Sequence, residues 1–419
     1  MQYIERKATA SLLQGIRTMP VVFINGPRQC GKSTLVNKIS EQLNDAQYVS
    51  FDDPSVYSFA SSDTEGFLNS FGKTAIIDEV QLVPDVFRQI KSVVDKGRLA
   101  GKNMNGRFVL TGSANILAIP NLAKALVGRV QLMPLFPFST SEIICDEDNF
   151  IDEIFNSDSF KTIKEIDTIE LIDAIGSSTY PQLSLDEQLD KPKWLNDYIN
   201  TLLFRDVRNI SQIVKLQELP KLLQIIASRA GGLLNEASLS RASGLNQMTL
   251  RRYRALLHGI FLVFSVPAWH ANIGKRMVKA PKDYIIDTMM LLNLLGLDTN
   301  TIGKSLTINR AILENFIAVE LTKRLSLFTD INLYHFRTTD NKEIDFVLER
   351  NNGDIVAIEV KNTMTVKPDD FRQLKLLSAK LPDKFLRGIV LYRGNKILPF
   401  SKNMLALPID VLWAKTKNN

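Results

Sequence analysis

Eight residues near the N-terminus, Gly26-Pro27-Arg28-Gln29-Cys30-Gly31-Lys32-Ser33, constrain this chain more than any other stretch. They satisfy G-x-x-x-x-G-K-[ST], a pattern that has meaning only between a strand and a helix. Val21-Val-Phe-Ile24 reads as a buried strand before it, and Ser33 to Leu43 as a helix after it. Gly26 and Gly31 let the backbone curl until several N–H groups converge on one anion. The helix N-terminus adds its dipole. The expected ligand is a nucleoside triphosphate, ATP, touched along residues 26–33 and at Thr34. Lys32 would neutralise the β- and γ-phosphates, and the Ser33 hydroxyl would ligate Mg²⁺.

The surrounding pattern is that of a nucleotide-binding sheet. Tyr48-Val-Ser-Phe51, Thr74-Ala-Ile-Ile77, Arg107-Phe-Val-Leu110 and Val130-Gln-Leu-Met133 read as further strands, with a helix from about Asp85 to Val94. Strands alternating with helices predict an α/β fold with a parallel sheet covered on both faces. Ala75-Ile-Ile-Asp78-Glu79 ends one strand in two acids, and that strand is expected beside the first. Asp78 there would reach Mg²⁺, and Glu79 would polarise the attacking water. The alternative is an acid pair that only caps the next element. After the fourth strand, Thr111 and Ser113 both qualify to touch the γ-phosphate or the water. Gly128-Arg129, expected to follow a helix, offers an arginine for γ-phosphate charge. It could act within its own chain or, in an oligomer, on a neighbour; a plain surface arginine is the alternative.

Together, Gly26-Pro-Arg-Gln-Cys-Gly-Lys-Ser33, Asp78-Glu-Val-Gln81, Leu110-Thr-Gly-Ser113 and Val127-Gly-Arg129 resemble the prokaryotic AAA-type ATPases fused to a C-terminal domain of unknown function. Tyr180-Pro181 and Thr201-Leu-Leu-Phe-Arg205-Asp206-Val207 resemble that family's linker. The resemblance implies an AAA-type P-loop core, a winged-helix segment and a C-terminal module akin to restriction-endonuclease folds. It implies Lys32 and Ser33 as phosphate and Mg²⁺ contacts, Asp78 and Glu79 as metal and water residues, and Arg129 as a sensor or finger. Cys30 departs from the small apolar residue expected there, and Gly176-Ser-Ser-Thr-Tyr-Pro181 is looser than the family's glycine-rich version.

The expected domains are an ATPase domain at 1–140, a helical lid or linker at 141–215, a winged-helix segment at 216–285 and a nuclease-like α/β domain at 286–419. In the third, Leu222–Ser228 and Asn235–Ser243 give two helices, Gly244 a turn, and Asn246 a cap for a third helix, Thr249–Leu257. That last helix carries Arg251, Arg252 and Arg254 and would be the recognition helix on double-stranded DNA. Leu262–Ser265 and Arg276–Ala280 would form the wing. Docking on a protein partner is the competing use. A net charge of +6 is compatible with nucleic acid without demanding it.

In the fourth, Glu343–Glu349 and Ile355–Lys361 flank Asn351-Asn-Gly-Asp354, a strong hairpin signal. Side chains alternate on a strand, so Glu359 and Lys361 share a face, and the hairpin can bring Asp345 beside them. Asp, then Glu-x-Lys, resembles the PD-(D/E)XK nuclease site. Asp345 and Glu359 would then bind Mg²⁺ and Lys361 would orient water. Glu314 or Glu320 would complete the set, and Gln373 would steady it. A salt bridge on a solvated strand is the alternative. Two cysteines and three histidines exclude a disulfide framework and a His-rich metal centre. No apolar run reaches membrane length, which makes the cytoplasm the expected compartment.

Overall fold

A computed structural model describes residues 3–113, 127–144, 150–156, 170–207, 216–297, 310–338 and 340–413. The chain divides into two compact units. The first runs to Phe138 and includes Tyr180–Gln182 and His258–Phe261; the second holds the remainder.

The first unit is built on a five-stranded parallel sheet of β1 (Val21–Asn25), β2 (Ala46–Ser50), β3 (Thr74–Asp78), β4 (Phe108–Gly112) and β5 (Val130–Pro134). Its spatial order is β2-β3-β4-β1-β5. Every residue of β1 and β4 is buried, as expected for central strands covered on both faces. The carboxylate-bearing strand β3 is therefore not beside β1, as the sequence predicted. Strand β4 lies between them, pairing Asn25 with Gly112 on one side and Ile77 with Leu110 on the other. The register brings the C-terminal ends of β1, β3 and β4 to one edge, where crossover loops of such sheets gather ligands.

Helices α1 (Ala8–Thr18), α2 (Lys32–Ser40), α3 (Pro54–Ser62), α4 (Thr64–Asn69) and α5 (Asp85–Leu99) belong to this unit. The sequence reading found α2 and α5. It missed α3, although Asp53 caps it by accepting from the Ser55 N–H at 2.8 Å and Pro54 opens it. Val86, Phe87, Ile90 and Val94, at helical spacing on α5, enter a core with Phe23, Phe108 and Leu110 of the sheet.

In the second unit, three helices (Glu218–Ala227, Glu236–Ser243 and Gln247–Gly259) precede a two-stranded antiparallel sheet of β6 (Val263–Val266) and β7 (Lys282–Ile285). The predicted second wing arm at 276–280 is not a strand. Asn272 accepts from the Lys275 N–H at 3.3 Å and starts a short helix, Ile273–Val278, which moves the strand to Lys282. After β6 the chain meets the C-terminal sheet: Ala268 bridges to His335, and the Trp269 N–H donates to the His335 carbonyl at 2.6 Å.

The C-terminal sheet has six strands in the order β12-β13-β11-β10-β9-β8. They are β8 (Ile331–Arg337), β9 (Glu343–Arg350), β10 (Ile355–Lys361), β11 (Phe385–Tyr392), β12 (Leu398–Ser401) and β13 (Met404–Pro408). The predicted hairpin is β9–β10, antiparallel, and its turn contains Gly353 at φ +93°, a backbone value that favours glycine. The sheet is mixed, because β10 pairs β11 in parallel and β11 pairs β13 in parallel. Among the described residues no helix is long and apolar enough to cross a membrane.

Candidate nucleotide site and C-terminal carboxylate cluster

The loop between β1 and α2 is held from three directions. Gly26 passes so close to Leu135 that a Cβ there would lie 1.9 Å from the Leu135 carbonyl oxygen, which leaves room for no other residue. Gly31 stands at φ +94° and opens α2. Cys30 is fully buried and its Sγ donates to the same Leu135 carbonyl at 3.2 Å, which accounts for a thiol where an apolar side chain was expected. Arg6, which the sequence reading passed over, donates to the Cys30 carbonyl at 2.8 Å and to the Phe136 carbonyl at 2.6 Å. Its guanidinium lies over the Phe138 ring, 4.8 Å from the centroid.

Lys32 is only 4% exposed, and its ammonium donates to the Gly26 and Pro27 carbonyls at 3.0 and 2.7 Å. The lysine thus spans the curl of the loop, where an anion would sit. Ser33 and Thr34 begin α2 with exposed side chains.

Across the edge stands Asp78, 3% exposed at the end of β3. It accepts from the Thr111 hydroxyl, from the Glu79 N–H at 3.2 Å and from the Tyr48 hydroxyl at 2.8 Å. Burial first, and the Asp78 carboxylate next, push the Tyr48 phenol up, so it stays a donor. The acid pair is thus no simple cap. The intervening strand supplies Thr111, the one of the two hydroxyls that serves Asp78. Ser113, the other, serves Glu79, donating to its Oε2 at 3.3 Å. Glu79 itself has left-handed backbone at φ +54°, uncommon outside glycine. Asp78 and the Ser33 hydroxyl are hard oxygen donors, the type Mg²⁺ prefers.

Arg129 is not brought to this edge. It immediately precedes β5 at the opposite end of the sheet, where its carbonyl accepts from the Val21 N–H. Five-residue strands separate the two ends by about 13 Å. Its guanidinium forms a two-pronged ion pair with Asp95, at 2.6 and 2.9 Å, that already satisfies it. The expectation that it acts on its own chain's phosphates is corrected accordingly. The helix expected before Gly128 lies outside the described residues.

In the second unit, Asp345 and Glu359 lie one step beyond Phe346 and Ile358, the last paired residues of the β9–β10 hairpin. Asp345 is fully buried, accepting from the Val360 N–H at 2.8 Å and from Arg310 at 3.0 Å. Glu359 accepts from Lys361 at 2.9 Å. Its Oε2 is buried with no hydrogen-bond partner. Burial, and then the Asp345 charge, push the Glu359 carboxyl up to about 7. The same two causes raise Glu314.

Of the two upstream candidates, Glu314 joins this cluster and Glu320 does not. Glu320 accepts from the Thr140 N–H at 3.2 Å and from Arg324 at 2.7 Å. Glu314 is bound by Lys282 and by the Tyr284 hydroxyl, each at 2.8 Å, both from β7. Burial opposes the Lys282 charge, and the Glu314 and Asp345 carboxylates override it and raise the lysine. Gln373 sits on the Arg372–Lys380 helix, half-buried.

Three carboxylates are therefore interleaved with three cations, Lys282, Arg310 and Lys361. Among the described residues no group of three or more His, Cys, Asp or Glu is spaced to hold a metal ion. Each Asp345 oxygen accepts one hydrogen bond, from Arg310 or from the Val360 N–H, so cations and an amide surround the three carboxylates.

On the Gln247–Gly259 helix, the expected row of three exposed arginines is also corrected. Arg254 turns inward and pairs with Asp283 through two 2.6 Å contacts. Arg251 is exposed and paired with Glu236 at 2.7 Å, and Arg252 is exposed. Lys282, Tyr284, Arg310 and Tyr48 could not be paired with their acids from sequence. Arg310 lies four residues before Glu314 on one helix face, yet its ion pair is with Asp345 from β9.

Residues 18–144 match the family model described as AAA domain. Residues 170–301 and 310–412 match two families, each described as a domain of unknown function (DUF8612 and DUF4143). Two uncharacterized proteins, from Mycobacterium bovis and Mycobacterium tuberculosis, are each 28% identical over 408 residues, covering 97% of this chain and 84% of their own length. Among solved structures, the Walker-type ATPase of Pyrococcus abyssi aligns with TM-score 0.43 at 13% identity, over 70% of this chain and 96% of its own. AMPPCP-bound DnaA from Aquifex aeolicus aligns with TM-score 0.29 at 12% identity, over 62% and 89%.

Proposed function

We propose, from the premise that residues 18–144 carry an AAA-type domain, that this chain binds ATP with Mg²⁺ and hydrolyses it. The observation that carries the reading is one sheet edge holding both the Gly26–Ser33 loop and the Asp78–Glu79 pair. Gly26 to Thr34 wrap the phosphates, with Lys32 leaving the Gly26 and Pro27 carbonyls for phosphate oxygens. Ser33 and Asp78 hold Mg²⁺, which when bound neutralises charge on the β- and γ-phosphates. Thr111 fixes the Asp78 carboxylate. Glu79 accepts a hydrogen bond from the attacking water and directs its oxygen at the γ-phosphorus.

The second half is read as a nuclease-like module that meets double-stranded DNA, with Arg251 and Arg252 as candidate phosphate contacts and ATP state altering that engagement. The matched charges around Asp345, Glu359 and Glu314 favour a second reading for its chemistry. In it, ATP switches docking to a protein partner and no nucleic acid is cut, so no cleavage step is derived for this cluster. Arg129, satisfied by Asp95 in its own chain, enters only if a neighbouring subunit draws it away. A cytoplasmic location is part of the proposal.

The test is ATP turnover, with and without DNA, on wild type and Glu79→Gln. The variant should keep ATP binding and lose about 10²-fold or more of turnover. Folded wild type that fails to retain ATP with Mg²⁺ overturns the binding reading, and unchanged turnover in the variant overturns the hydrolytic one. Mg²⁺-dependent DNA cutting that Asp345→Ala abolishes would restore the nuclease reading.

A further inference from the structure

Gln81 has no role in the scheme above, yet its amide meets the Glu79 carboxylate. Its Nε2 donates to Glu79 Oε2, and also to Ser113 Oγ at 3.1 Å. Ser113 Oγ in turn donates to the same Glu79 oxygen at 3.3 Å. One carboxylate oxygen is thereby caught between two donors that are themselves hydrogen-bonded, from the segments after β3 and β4. The other, Oε1, is left for a water.

Two further features fit Gln81 to that place. The first is amide orientation. The reverse orientation would turn the Gln81 carbonyl against the Glu79 carboxylate, two acceptors face to face. The second is Gly112. A Cβ at Gly112 would lie 2.8 Å from Gln81 Oε1 and 3.0 Å from the Phe23 ring, so a side chain there would unseat the amide. The glycine of Leu110-Thr-Gly-Ser113 is thus matched to Gln81, and the left-handed backbone at Glu79 delivers the acid to the pair. A ring of contacts this local, closed over one carboxylate, restricts where that carboxylate can point.

We infer that Gln81 is a positioning residue for ATP hydrolysis: it holds Glu79, together with Ser113, in the orientation that directs the attacking water. It touches neither phosphate nor metal and acts through Glu79 alone. This assignment rests on the ATPase reading.

Steady-state and single-turnover ATP hydrolysis with Mg²⁺ test it, on wild type, Gln81→Leu, Gln81→Asn (one methylene too short to reach Glu79), Glu79→Gln and the Gln81→Leu/Glu79→Gln double variant. Nucleotide Kd and thermal melting are measured on each. The expected result is kcat lowered by about 10- to 100-fold in both Gln81 variants, as for a misplaced catalytic group. KM and Kd should stay within about twofold. In the Glu79→Gln background, Gln81→Leu should change single-turnover rate no further, because the group it acts through is gone. A Gln81 variant that turns over like wild type overturns the assignment. So does a Gln81→Leu loss that persists undiminished without Glu79, or one that tracks lost nucleotide affinity and melting temperature. If wild type itself shows no turnover, the ATPase reading falls and takes this one with it. Active wild type beside an equally active Gln81→Leu removes only the Gln81 assignment.

Discussion

At the scale of single residues, burial decides what a side chain does. Glu359 is 7% exposed with one oxygen unpartnered, and its carboxyl is pushed from 4.5 up to about 7. The folded state holds this proton more tightly than the unfolded chain does. Its contribution to stability is therefore fully present below about pH 4.5 and is lost as pH rises through about 7. Melting temperature should fall across that window in wild type, and Glu359→Gln should flatten the fall. Glu314, raised for the same reasons, keeps a residual slope. Melting profiles of the two proteins that run parallel from pH 4.5 to 8 would contradict the assignment. The Asp345–Glu359–Lys361 grouping was legible, because strand alternation and an Asn-Gly turn dictate it. The counter-ions were not. Lys282 comes from β7 and Arg310 from a helix, and nothing in local spacing ties β7 to that hairpin. Gln81 sat in view beside Glu79, but only the fold brings Ser113 to close the ring.

At the scale of elements, local chemistry gave most starts and stops. Asn235, Asn246 and Gly244 mark the helices of the middle segment as the sequence suggests, with Asn246 accepting from the Thr249 N–H at 2.9 Å. Which face of a helix is buried is a different matter. The Gln247–Gly259 helix presents Arg251 and Arg252 outward and commits Arg254 to Asp283. Arg254→Ala leaves Asp283, itself 5% exposed, without its main partner. It should cost stability toward the low end of about 3–5 kcal/mol by urea unfolding, since the arginine is part-exposed. Arg251→Ala, on an exposed pair, should leave the urea midpoint almost unchanged. In DNA binding the two should reverse, with Arg251→Ala and Arg252→Ala weakening affinity at low salt while stability holds. A urea midpoint unchanged in Arg254→Ala would refute the inward assignment. The second wing arm is displaced because Asn272 caps a short helix, Ile273–Val278, so the strand that pairs with β6 begins only at Lys282, and a propensity reading cannot weigh that helix against the pairing.

At the scale of the whole molecule, two units with separate cores predict separable unfolding. ATP with Mg²⁺ at about 100 times its Kd should stabilise the unit bearing the Gly26–Ser33 loop by about 2.7 kcal/mol. It should leave the transition of the other unit in place. Urea titrations followed by probes in each unit check this, and one shared transition that moves as a whole would mean the units unfold together. The sequence by itself determined the phosphate loop, the acid pair and the alternation of strands and helices. These are short-range matters of backbone freedom, charge and apolar period, complete within a few residues. Strand order, the cations that neutralise the C-terminal acids, the placement of Arg129 at the far end of the sheet and the meeting of Ser113 with Gln81 and Glu79 were decided only by tertiary structure. Each depends on which distant segments share a sheet edge, and side chains scattered along the chain carry no local sign of that meeting.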